Sequence, residues 1–137
     1  MTEPLESLPL VQAIQELVQG ALGDDCPVYL AGAPRDAPAK YAVLYPDTGV
    51  ESQVDRTLAD TMPNDLRYQV TSVGVGPEQA MWVADRSNGV LLTTAPAVPG
   101  RRVRKAVRES SQHVRRDDNS TGLYYATAQY MTRSDPL

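Results

Sequence analysis

The 137 residues contain one histidine, His113, and one cysteine, Cys26, so imidazole or thiol chemistry would have to run through these two. A serine–histidine–aspartate relay would use His113 with Ser110 or Ser111 and Asp117, all close in sequence. Such a relay needs its three groups within hydrogen-bond reach in space. Neighbouring residues of a strand point to opposite faces, so closeness in sequence does not supply that geometry. His113 reads as a surface or strand-edge histidine. Cys26 precedes Pro27 and has no second thiol or basic neighbour in sequence to lower its pKa. It reads as a buried structural residue, and alone it forms neither an intrachain disulfide nor a cysteine-based metal site.

Asp24-Asp25, Asp117-Asp118 and Asp135 lack the alternating acid spacing of a calcium loop and read as solvated turn carboxylates. Gly74-Val75-Gly76 lies between a strand-like and a helix-like segment, as a dinucleotide loop does. It has no third glycine and no βαβ crossover after it, so it reads as an ordinary helix-opening turn. No catalytic residue, metal ligand or cofactor is expected. The chain reads as a non-enzyme.

Charge is the more unusual feature. Acids number 17 and bases 13, for a net charge of −4, which argues against a dedicated nucleic-acid binder. The balance is uneven: residues 1–65 hold eleven acids and three bases, residues 66–137 six acids and ten bases. Arg101, Arg102, Arg104, Lys105, Arg108, Arg115 and Arg116 form a basic run. This run is either a solvated strand face or a complementary-charge surface for assembly or for DNA phosphates. Aromatic residues do not interleave with it, which disfavours single-strand stacking. In an assembly, Arg104 and Arg108, four residues apart and so expected on one strand face, would meet acids such as Glu51, Asp55 or Asp60 of a neighbour.

The elements that position these residues follow from periodicity. Leu10, Ala13, Ile14, Leu17, Val18, Ala21 and Leu22 make the apolar stripe of a helix, with Ser7 as N-cap and Gly23 at its end. Val28–Leu30 and Tyr41–Tyr45 read as strands, the second apolar on both faces and therefore central. Residues 47–64 show little periodicity and many acids, and read as a long surface loop or arm. Leu66–Val73 alternates as a half-buried strand. Pro77 opens a second helix along Ala80, Val83, Ala84, Val90 and Leu91, with fraying expected at Gly89. Val103–Glu109 and Leu123–Thr132 read as strands joined by a loop over 117–122. The order implies one α+β domain over 1–137, its core spanning about 8–132 and its termini flexible. Its expected architecture is a mainly antiparallel mixed sheet with two helices on one face. No apolar run approaches the ~20 residues that span a bilayer. The acidic start and lone cysteine suggest a reducing cytoplasm as the place of synthesis. Arginine outnumbers lysine 11 to 2, and Phe, Ile and Asn are scarce, as in GC-rich genes.

Asp65-Leu66-Arg67-Tyr68-Gln69-Val70-Thr71-Ser72-Val73-Gly74, followed by Pro77-Glu78-Gln79-Ala80-Met81-Trp82-Val83-Ala84-Asp85-Arg86, resembles the centre of tail terminator proteins of long-tailed (siphovirus-type) phages, especially actinobacterial ones. Arg115-Arg116-Asp117-Asp118 and the tyrosine-rich last strand are similar to the family's ending, and the resemblance covers roughly residues 8–132. It implies an α+β fold and a homohexameric ring that ends tail-tube growth and forms the tail side of the head–tail joint. The implied partners are further copies of the chain, the major tail tube protein and a head–tail connector or stopper protein. DNA would pass through the lumen without sequence-specific binding, and no membrane is involved. The implied location is the virion tail or neck, assembled in the host cytoplasm. A head–tail connector or tail-completion protein of the neck is the alternative, and an α+β nucleic-acid-binding module a more distant one.

Overall fold

The computed structural model describes residues 7–47, 64–118 and 122–137. Helix α1, Leu8–Leu22, buries Leu10, Val11, Ile14, Val18 and Leu22 along one stripe. Leu17 is only partly buried against the core. Ser7 stands at the N-cap position, but its hydroxyl caps no backbone group and instead accepts from Asn64 Nδ2 at 3.4 Å. Gly23 ends the helix at φ 85°, a conformation that glycine adopts without a Cβ penalty.

Strands β1 (Val28–Leu30), β2 (Tyr41–Pro46), β3 (Asn64–Gly74), β4 (Arg101–Val103), β5 (Val107–Arg116) and β6 (Tyr124–Pro136) form one six-stranded mixed sheet. Its order is β1-β2-β3-β6-β4, with β5 also on β6. Only β1 and β2 run parallel; every other pair is antiparallel. β2 is interior, as its run of buried Ala42, Val43 and Leu44 implies. Helix α2, Pro77–Thr93, packs with α1 over the face carrying Leu66, Tyr68, Val70 and Tyr130. The expected α+β architecture is the observed one.

Three expectations change in detail. Gly89 does not interrupt α2, which continues to Thr93 because Leu91 is anchored in the core. Strand β6 runs past Thr132 to Pro136, since Thr132 and Ser134 are buried polar residues with partners across the sheet. The strand expected over 103–109 is two strands, β4 and β5, separated at Arg104–Ala106. There Ala106 turns inward, is buried, and donates its N–H to the Leu91 carbonyl at 3.1 Å. The two strands lie end to end along one side of β6 as an interrupted edge.

Candidate functional site

The fold collects the whole basic run on that edge, but not on one strand face. Arg101, on β4, is half-buried and donates from Nε to Ser134 Oγ at 2.9 Å and from a terminal nitrogen to the Ser134 carbonyl at 2.8 Å. Arg102 is exposed beside it. Arg104 and Lys105 lie in the break between β4 and β5, so Arg104 does not share a strand face with Arg108 as its spacing suggested. The Arg104 main chain donates to the Arg133 carbonyl, and its guanidinium lies 3.5 Å from Asp135 of the same chain. Arg108, on β5, donates to Asn88 Oδ1 of α2 at 3.3 Å. Arg115 stacks over the Tyr125 ring at 4.9 Å and bonds Gln112. Arg116 lies 3.6 Å from Asp118. Glu51, Asp55 and Asp60 fall outside the described residues.

Other candidates have structural places. His113 is exposed on β5, within the register shift between Gln112 and Arg115. Ser110 donates its hydroxyl to Gln129 at 3.2 Å, toward β6. Cys26 is fully buried, and burial pushes its thiol pKa up against the opposing charge of Lys40. A raised pKa disfavours the nucleophilic thiolate. Asp24 and Asp25 are exposed in the turn after α1. At Gly74, a Cβ would come within 2.6 Å of the Ala80 nitrogen, so this glycine serves the close approach of β3 to the first turn of α2. Among the described residues, no three His, Cys, Asp or Glu side chains group as a metal ion would require.

Two features were not read from the sequence. Gln15 and Gln19 lie off the apolar stripe of α1, yet both reach β1. Gln19 Oε1 accepts from the Val28 N–H at 2.9 Å, and Gln15 Nε2 donates to the Val28 carbonyl at 2.8 Å. Their spacing of four was the available signal, but it named no target. The second feature is a groove of about 410 Å3 between α2 and the β5–β6 pair. Val70, Met81, Ala84, Val114 and Ala126 give it an apolar lining, with Asp85, Asn88, Arg108 and His113 among its polar residues. It forms because β5 extends the sheet beyond what α2 covers, leaving β5 exposed nearly throughout.

No family model and no curated protein matches the sequence. The structure is similar to a chain of a solved particle described as the virion of a native gene transfer agent. The TM-score is 0.68 at 15% identity, and the match covers 91% of this chain and 93% of that one. The two chains share one fold. No helix among the described residues is long and apolar enough to cross a membrane.

Proposed function

We propose that this chain is a structural virion protein that caps the phage tail tube as a ring, ending tube growth and forming the tail side of the head–tail joint. The observation that carries the virion role is the end-to-end likeness to a chain of the gene transfer agent virion. The tail-terminator role rests on the sequence resemblance over 65–74 and 77–86, which the structure places on β3 and the first half of α2. In this reading the chain is not an enzyme and carries no cofactor. Its partners are other copies, six in the ring by that resemblance, together with the tube protein and a connector or stopper. DNA crosses the lumen without base-specific contacts.

A cyclic ring above two-fold needs two different surfaces on each subunit. The basic edge supplies one, and the acids Glu51, Asp55 and Asp60 of a neighbour supply charges for the other. Arg104 and Arg116 already have partners within the chain, so exposed Arg102 and Lys105 carry more of the contact than the spacing suggested. Each exposed pair contributes about 0.2–1 kcal/mol. The charges therefore set register and reject wrong pairings, and apolar contact supplies most of the affinity.

The test is tail assembly with this gene deleted and then restored. Tubes of uncontrolled length without the protein, and normal length on its return, support the terminator. Tubes of normal length that fail to join heads point to the connector or tail-completion reading. Arg102→Glu with Lys105→Glu, followed by light scattering, asks whether the basic edge is the subunit contact. Unchanged ring formation by this folded variant would remove that role.

A further inference from the structure

The sheet has two edges, and they are treated differently. At β1, the outward main-chain groups of Val28 are occupied by Gln19 and Gln15, so the strand cannot take a partner without displacing both. At β5, seven of the ten residues stand in register with β6 on one side, and no main-chain hydrogen bond from another described element reaches the other. An open strand edge is a template for pairing with another chain, and proteins guard such edges with charges and bulges. β5 has both guards: register shifts at Arg108/Ser110 and Gln112/Arg115, and the cations Arg108, Arg115 and Arg116. Its one acid, Glu109, is held by Arg67 at 3.1 Å. An edge guarded by positive charge rejects basic and neutral strands less well paired to it and admits an acidic one.

We infer that the outer edge of β5 takes, as an added strand, the acidic stretch of a second copy of this chain that carries Glu51, Asp55 and Asp60. The inference deepens the ring reading and rests on it. Charge complementarity selects the occupant: this stretch holds those acids against one base, Arg56. In sequence, Val50, Val54 and Leu58 lie among those acids, and the groove that adjoins β5 is lined by the apolar Met81, Ala84 and Val114. The topology favours a second copy over the chain's own stretch. The 48–63 stretch joins β2 to β3, and β6 separates β3 from β5. Main-chain hydrogen bonds would supply affinity, and the groove and cations specificity, as in other strand additions.

The experiment is amide hydrogen exchange on the full chain, alone, assembled, and with a synthetic peptide of residues 48–62. Alternate amides of β5 should exchange about tenfold or more slowly in the assembly and with the peptide. A peptide with Glu51→Lys and Asp55→Lys should bind about tenfold or more weakly. A ring that forms with β5 amides still unprotected overturns strand addition while leaving the ring intact. A chain that stays monomeric yet binds the peptide along β5 supports strand addition and sinks the ring. Protection of β5 in the free chain that does not vary with concentration overturns the second copy in favour of the chain's own stretch. Protection by a DNA oligonucleotide but not by the peptide overturns the acidic occupant.

Discussion

The hydroxyls of Tyr68 and Thr132 lie 2.8 Å apart across the β3–β6 seam, both closed off from solvent. Tyr68 also stacks on Tyr130, with ring centroids 5.7 Å apart. The central pair of strands is thus held by a polar contact inside an apolar core. Thr132→Val removes one hydroxyl at nearly constant volume and leaves the other buried without its partner. Chemical denaturation should show a loss of about 1–3 kcal/mol. Thr132→Ser should lose less, and adding Tyr68→Phe to Thr132→Val should cost less than the two separate losses together.

The same tyrosines predict the alkaline behaviour. Burial, partly offset by the charge of Arg108, pushes the Tyr130 hydroxyl from 10.0 up to about 12. Burial raises Tyr68 as well. Unfolded tyrosines release their protons near the ordinary value while the folded ones keep them, so the unfolded state binds fewer protons above that pH. Stability should be unaffected by these groups below pH 10.0 and fall as pH rises toward about 12. Urea titrations at increasing pH, read with tyrosinate absorbance, check this. Tyr130→Phe should make the decline shallower.

Gly74 and Gly76 differ in what a methyl group would meet. At Gly74 an added Cβ lies 2.6 Å from the Ala80 nitrogen and 2.8 Å from Gln79 Cβ; at Gly76 the nearest atom is Glu78 Oε2 at 3.5 Å. Gly74→Ala must push α2 off the end of β3 and should cost about 1–3 kcal/mol. Gly76→Ala should cost clearly less, since the added methyl group meets only the far end of the Glu78 side chain. Thermal melts of both variants decide it. Equal losses would mean that the glycines act through the unfolded chain and not through packing.

Along α1, Ile14 is wholly buried and Leu17 only partly so. Ile14→Ala should lose about 2–5 kcal/mol and Leu17→Ala clearly less. Denaturant midpoints for the pair test whether the apolar stripe is centred on Ile14.

The α1 stripe was legible because one helix face meets one core, and hydropathy alone marks that face. The break between β4 and β5 was not. Val103 to Glu109 carries no glycine or proline, and what ends the strand is the bond from Ala106 to Leu91, a residue on a helix. The end of β6 was missed for a related reason. Thr132 and Ser134 are polar by composition and buried by position, and only Tyr68 and Arg101 on other strands make that burial tolerable. At the basic edge, the charges were evident but their pairing was not. Whether Arg104 faces a neighbour or Asp135 depends on the register between β4 and β6, which no local pattern encodes.

Strand β6 is the last element in the chain order, yet it lies between β3 and the β4–β5 edge. Asn64 waits for Ser134, and Gly74 for Tyr124. Folding therefore meets a loop-closure entropy cost before its central ladder forms, and such non-local pairing slows folding. Until β6 arrives, β3 and β5 each lack their common neighbour, and the early compact state exposes strand edges to other nascent copies. The greatest aggregation hazard of this topology lies there, before β6 has paired.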